Sequence, residues 1–243
     1  MAKQQTSGGV SRFYGIIGAV AVAGLLIVGY QVGFKGMGQA AAAPVAVEGL
    51  DDPQVLLQMA QGMVLGDPAA PVTIYEFGDY QCPACGMFAL QVKPLVDQAY
   101  VVEGKAKFVF YDFPLVQIHP NAFIAARSSR CAADQGQDLY WEYHKKLFDE
   151  QGSWSNNGSP VGLFVGYAEA LGANKGDFES CLRSDRHADV ISAQMRLGEE
   201  LGVTGTPSVM VSKGDGFADR LQSADFQYIQ QAVDALLAES EGN

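Results

Sequence analysis

The sequence predicts an α/β domain carried behind one apolar helix of membrane length. Three observations predict it. Residues 13–34, FYGIIGAVAVAGLLIVGYQVGF, contain no charge and one Gln. Residues 71–77, PVTIYEF, alternate like a strand, with β-branched and aromatic residues, and soon give way to helical spacing. From residue 121 to 201, between strand-like stretches, apolar residues recur at the period of a helix.

The N-terminal segment sets the compartment. As a helix, its 22 residues span ~33 Å, enough for a bilayer core. Lys3 and Arg12 precede the span and Lys35 follows it. That balance places residues 1–12 in the cytoplasm and the remainder outside, in a periplasm or at the cell surface. Two readings of residues 13–34 stand: a retained transmembrane anchor, or a signal segment. The apolar region of a cleavable signal is roughly 7–15 residues long, so the greater length here favours the anchor. The A-x-A triplets of GQAAAAPVAVEG (38–49) keep cleavage open, although Pro44 would sit close behind a cut. Both readings export the same domain. Residues 35–61, rich in Ala and then acidic, are expected to be a linker, and 62–243 the domain.

Charge narrows the partners. The first 43 residues hold three of the 16 basic residues and none of the 27 acidic ones, so the exported part carries 13 against 27, a net −14. A nucleic-acid surface needs clustered Lys and Arg, so nucleic acid is excluded as a partner. Proteins and membrane proteins fit. About 200 residues suffice for one core with a subdomain attached.

Along the domain, strand 71–77 puts Val72, Ile74 and Glu76 on one face and Thr73, Tyr75 and Phe77 on the other. After Cys85, GMFALQVKPLVDQAYVVEG has helical spacing, with a break or kink expected at Pro94. KAKFVFYDFPL (105–115) reads as a second strand. Helices are expected over 121–135, 138–150, 160–172, 176–184 and 186–201. GVTGTPSVMVS (202–212) is a turn running into the strand SVMV. The segment DGFADR and a helix in SADFQYIQQAVDALLAES (223–240) complete the chain.

The chemistry concentrates in FGDYQCPACGMF (77–88), where Cys82 and Cys85 are two residues apart. Zinc knuckles, haem sites and redox enzymes all use this spacing. A haem site needs His after the second cysteine, and Gly86 stands there. Zinc would need two further ligands, but Cys131 and Cys181 stand 50 residues apart and His119, His144 and His187 show no paired spacing. No metal site is expected. A redox-active pair and an inert structural disulfide remain, and position favours the former. Pro83 suits the first helical position, which leaves Cys82 at the helix N-terminus. There the N–H groups and the macrodipole favour a thiolate, the reactive form of cysteine. Cys85, one turn on, is close enough to close a small ring.

Two further features sharpen this. Glu76 lies on an otherwise apolar strand face, where burial would raise its pKa and let it take a proton from Cys85. The alternative is a carboxylate capping a solvent-facing strand end. Thr206-Pro207 opens a strand, a place for proline that often goes with a cis bond or otherwise an ordinary turn.

Together, GDPAAPVTIYEFGDYQCPACGMF, HPNAFIAARSSRCAADQG with WEYHKKLF, and LGVTGTPSVMV resemble the DsbA-type thiol–disulfide oxidoreductases of the thioredoxin superfamily, in the family's order and over roughly residues 62–239. The resemblance implies a thioredoxin fold with an inserted helical subdomain at about 119–200, preceded here by one N-terminal transmembrane helix. It implies Cys82 as exposed nucleophile, Cys85 as buried resolving thiol, Glu76 as the acidic residue beneath them, and Thr206 and Pro207 as the loop that pairs with substrate backbone. It implies no cofactor. The partners would be reduced or unfolded exported proteins and a membrane thiol oxidase that re-oxidises the active site.

Two departures leave the direction of electron flow open. The family's strong oxidants carry His before the second cysteine, where this chain has Ala84, and Thr206 is a choice also seen in disulfide isomerases. An oxidase is the leading reading. An isomerase or reductase of the same fold is the alternative, and a membrane-tethered binding or chaperone module is a third. Cys131 and Cys181 fall inside the insertion as either two buried thiols or a structural disulfide. His144 is expected on a helix surface or in a satisfied core contact.

Overall fold

The computed structural model describes residues 42–214, 216 and 218–241. The candidate anchor at 13–34 lies outside them. Among the described residues no helix is long and apolar enough to cross a membrane.

Strands β1 (Met63–Leu65), β2 (Val72–Gly78), β3 (Ala106–Asp112), β4 (Ser208–Lys213) and β5 (Asp219–Arg220) form one sheet in the order β1-β3-β2-β4-β5. β2 is central. It runs parallel to β3, with Glu76 opposite Phe110, and antiparallel to β4, with Glu76 opposite Val209. A parallel neighbour requires a crossover, and the helix that follows the cysteine pair supplies it. β1 and β5 pair antiparallel at the two edges.

The helices are α1 (Pro53–Met59), α2 (opening at Pro83–Met87), α3 (Ala122–Ala133), α4 (Gln137–Asp149), α5 (Gln151–Trp154), α6 (Val161–Ala170), α7 (Lys175–Arg183), α8 (Ala188–Glu200) and α9 (Phe226–Glu241). Residues Val72, Ile74, Phe108, Phe110, Val209 and Val211 bury one sheet face in a core shared with Phe88 and Val96 of α2 and Ile229 and Val233 of α9. The other face is smaller, with Phe77, Phe113 and Met210 packed against Leu56 of α1 and Leu197 of α8. Both faces of β2 are therefore covered, which is why six of its seven residues are buried.

The structure differs from the sequence expectations in three places. Part of the expected linker, 35–61, is folded onto the domain. Asp52 caps α1 by accepting from Gln54 N at 2.8 Å, Leu56 is buried, and Val45 N donates to Ser192 Oγ at 2.9 Å. With one buried apolar residue in seven, α1 carries no readable periodicity. Pro94 does not break α2. The helix continues as π-helical Phe88–Val92, α-helical Lys93–Val96 and π-helical Asp97–Val101. A wider i→i+5 turn ahead of the proline absorbs the missing N–H and the ring, as π-bulges do.

Finally, α8 is not part of a separate helical layer. A Cβ on Gly198 would lie 2.6 Å from the Phe113 ring and 3.2 Å from Phe77, so only glycine lets this helix lie so close to the sheet. The helical subdomain beyond the sheet is thus α3–α7, narrower than 119–200. Cys131 of α3 and Cys181 of α7 form a disulfide there, with Cα atoms 5.7 Å apart. Arg130 ties the layers together: its Nε donates to Asp112 Oδ2 at 2.8 Å and its Nη2 to Gln194 Oε1 of α8 at 3.0 Å.

Candidate active site

β2 delivers the cysteines. It ends at Gly78, and the chain turns through Asp79, Tyr80 and Gln81 with Cys82 N donating to Asp79 O at 3.1 Å. Cys82 then caps α2 in an extended conformation, φ −71° and ψ 122°, and Pro83 occupies the first helical position without wasting an N–H. Cys82 and Cys85 are free thiols here, Cys82 with 8% of its surface open and Cys85 with none. The Thr206-Pro207 peptide is cis, and it brings the Thr206 carbonyl to 3.4 Å from Cys82 Sγ, which donates to it.

The two thiols are driven apart electrostatically. The Cys82 thiol is pulled down to about 5, chiefly because the Cys85 thiol donates to its sulfur, with the Thr206 side chain and the backbone N–H groups of Cys85 and Ala84 adding to this. The Thr206 hydroxyl is buried without another partner, so it is free to turn to the thiolate once Cys82 has lost its own proton. Cys85 is pushed well above the usual thiol range by burial first, then by donating to Cys82 and by the nearby Glu76 charge. Asp79 N donates to Cys85 Sγ at 3.4 Å.

Glu76 is fully buried, which rules out a carboxylate capping a solvent-facing strand end. Burial pushes its carboxyl up to about 8, against an opposing pull from Lys93. Neither carboxylate oxygen has a hydrogen-bond partner. His144 is also buried rather than on a helix surface, and only half satisfied. Its Nδ1 is 2.8 Å from Tyr80 Oη while Nε2 has no partner, and burial holds the ring well below the usual imidazole range.

The structure thus brings Glu76, Cys82, Cys85, Thr206 and Pro207 to one place and leaves Cys131 and Cys181 in the helical subdomain. It also adds a polar clamp on the active-site turn. Asp79 Oδ1 accepts from Gln81 N at 2.7 Å, and Oδ2 accepts from Leu115 N at 2.8 Å and meets His119 Nδ1 at 2.7 Å. Gln151 Nε2 donates to Tyr80 O and Cys82 O, at 2.7 and 2.9 Å. Gln81 is held by Asn121 N and Ser155 O. Gly86 leaves room for this clamp, since a Cβ there would sit 3.0 Å from Gln151 Oε1. The Asp two residues before Gln81 is a local Asx-turn signal. Gln151 and Asn121 gave none, because their partners are distant in sequence.

Among the described residues, the His, Cys, Asp and Glu side chains grouped tightly enough to hold an ion are Cys131, Cys181 and His187. Two of those three are joined in the disulfide and offer no thiolate.

Residues 58–232 match the family model described as thioredoxin. The Na(+)/H(+) antiporter NhaA 1 of Salinispora arenicola is 33% identical over 165 residues, which are 68% of this chain and 24% of that protein. The chain therefore spans about a quarter of that relative's length. Disulfide bond formation protein D of Bacillus subtilis is 28% identical over 151 residues, covering 61% of this chain and 67% of that protein. Among solved structures, oxidised BdbD from Bacillus subtilis superimposes with a TM-score of 0.65 at 24% identity, covering 73% of this chain and 93% of that one. A sheet ordered β1-β3-β2-β4-β5, a helix capped by the first cysteine of a C-x-x-C pair, a cis-proline facing it and a helical insertion between β3 and β4 agree with these likenesses: the chain belongs to the thioredoxin family, as a member of DsbA type.

Proposed function

We propose that this protein is a thiol–disulfide oxidoreductase that passes disulfides to exported proteins through Cys82 and Cys85. The observation that carries this reading is Cys82 at the N-terminus of α2, 3.4 Å from the Thr206 carbonyl and above a fully buried Cys85, where hydrogen bonds to its sulfur pull the thiol down to about 5. In the oxidising direction a client thiolate attacks Cys82 Sγ of the closed pair. The Cys82–Cys85 bond breaks and Cys85 leaves with the electron pair. That thiolate is enclosed and unstable, and Glu76, which holds a proton at neutral pH, gives it up to Cys85. A second client thiolate then attacks the client sulfur of the mixed disulfide, and Cys82 leaves as a stabilised thiolate. Low pKa makes it the better leaving group. The client loses two electrons and the enzyme gains them. A membrane thiol oxidase would take them off again.

Thr206 and Pro207 would pair with client backbone beside Cys82, since the loop faces its sulfur. Ala84 supplies no cation to the thiolate, and this favours a second reading, an isomerase or reductase. Against it, hydrogen bonds alone hold Cys82 low. A binding module without turnover would leave Glu76 buried at a cost and to no purpose.

The test is trapping. Cys85→Ser should accumulate mixed disulfides with client proteins through Cys82, because the Cys82 thiolate still attacks a client disulfide while no Cys85 thiol remains to displace the client. If Cys82→Ser traps clients and Cys85→Ser does not, the assignment is reversed and the reading fails.

We also propose that residues 13–34 anchor the domain outside the cytoplasm, in a periplasm or at the cell surface, on the length and lack of charge of that run. The full chain should stay with membranes through salt and alkaline extraction. A soluble form with a mature N-terminus near residue 43 would contradict the anchor.

A further inference from the structure

Asp79 reaches the thiol pair through its backbone and is itself held through its side chain. Its N–H donates to Cys85 Sγ at 3.4 Å, and its carbonyl accepts from Cys82 N at 3.1 Å. Cys85 is fully buried, so a charge on its sulfur has to be met by protein groups rather than by water. Among the described residues the hydrogen-bond partners of that sulfur are Cys82 and the Asp79 N–H. The Asp79 carboxylate is fully buried and takes three donors, Gln81 N at 2.7 Å on Oδ1, and Leu115 N at 2.8 Å and His119 Nδ1 at 2.7 Å on Oδ2. A carboxylate can only accept, so His119 Nδ1 carries the hydrogen. Ile118 N and His119 N both donate to Leu115 O, at 3.0 and 2.9 Å, so the two donors to Oδ2 come from one tight turn after β3. Of the three donors, His119 alone is a side chain, and it can be changed without touching the backbone.

We propose that His119 and the Asp79 side chain are positioning residues for exchange at Cys85: they hold the Asp79 N–H on the Cys85 sulfur, where it stabilises the negative charge that sulfur carries as the Cys82–Cys85 bond opens or closes. This rests on the proposed function. When a client thiolate attacks Cys82 Sγ, a new S–S bond forms, the Cys82–Cys85 bond breaks, and the electron pair leaves on Cys85. Until a proton arrives, that charge lies in a site closed to water. In the closing direction Cys85 gives up its proton and its sulfur attacks Cys82 Sγ, so the same charge recurs. A backbone N–H already aimed at the sulfur forms a charge-assisted hydrogen bond without reorganising. It keeps that aim because the residue bearing it is tied at both ends, to Cys82 N by its carbonyl and to the turn after β3 by its carboxylate. Without His119 the carboxylate loses the donor that joins the two loops through a side chain, and the N–H is free to tilt away.

The test separates the two steps by which the reduced enzyme closes its pair, with glutathione disulfide as probe. In the first, the Cys82 thiolate attacks glutathione disulfide and one glutathione thiolate leaves. The rate of this step grows in proportion to the probe. In the second, the Cys85 sulfur attacks Cys82 Sγ and the other glutathione thiolate leaves, at a rate that reaches a plateau independent of the probe. His119→Ala should lower the plateau about tenfold, the worth of one good hydrogen bond, and leave the initial slope as it is. His119→Asn, whose side-chain N–H can take the place of Nδ1, should restore the plateau. A merely structural loosening of the turn would lower slope and plateau together, since Cys82 hangs on the same residue. An unchanged plateau, a slope that falls by the same factor, or a His119→Asn as slow as His119→Ala would overturn the proposal. If His119→Ala does not fold, His119→Phe keeps a ring without the donor and carries the same expectation. A wild type that never closes the Cys82–Cys85 bond would instead refute the redox reading beneath it.

Discussion

At Cys82 the folded thiol loses its proton near pH 5, whereas an unfolded one does so near ~8.5. Between those values the unfolded chain binds the extra proton, so the reduced protein gains stability as pH rises and loses it as pH falls through the folded value. Glu76 works in the opposite sense. Its folded carboxyl keeps a proton up to about 8 while an unfolded one releases it near ~4.3, so its contribution is lost as pH rises through that interval. In the reduced enzyme the two slopes oppose each other from about pH 5 to 8. Closing the disulfide silences Cys82 and leaves the Glu76 slope, opposed below ~6.5 by His144, which stays neutral in the fold and binds a proton once unfolded. From about pH 6.5 to 8, denaturation midpoints should therefore vary little for the reduced protein and fall for the oxidised one. In reduced Glu76→Gln they should rise over the same range. An oxidised protein whose midpoint does not fall would mean that Glu76 ionises freely.

At the scale of the elements, the α3–α7 link has its own consequence. Cys131 and Cys181 are buried and bridge 50 residues of chain. Replacing both by Ser should lower the unfolding free energy by ~4 kcal/mol in the chain-entropy picture, read as a shift in denaturant midpoint under oxidising conditions. An unchanged midpoint would show that helix packing alone holds the subdomain. Elements with enough repeats of their period were legible in the sequence. α3, α6 and α8 fall inside the stretches whose spacing predicts a helix, and α4, α7 and β2 match theirs to within one residue. The short pieces were not. β1 has three residues and α5 four, fewer than either period needs to declare itself. Pro94 misleads because a π-helical turn, not a break, accommodates it. The site divides in the same way. Cys82, Cys85, Glu76 and Thr206-Pro207 were readable because each carries a local signal. Gln151 and Asn121 were not, because what makes them matter is a partner far away in sequence.

The whole molecule places a small, strongly acidic domain behind an apolar run, with a thiol pair at the junction of β2 and α2. The formal net charge of −14 beyond residue 43 disfavours binding to nucleic acid. Direction of electron flow is a property of this whole assembly, because it is set by how far the reduced pair is stabilised relative to the closed one. The equilibrium potential of the Cys82–Cys85 couple against glutathione tests the account most directly. Thiol pairs of this kind range from roughly −270 mV for reductants to roughly −120 mV for the strongest oxidants, and each 30 mV corresponds to ~1.4 kcal/mol. With Cys82 held low by hydrogen bonds but without a cation at Ala84, the account predicts a value above about −200 mV and short of the most oxidising extreme. A potential near −270 mV would contradict it and make the protein a reductant.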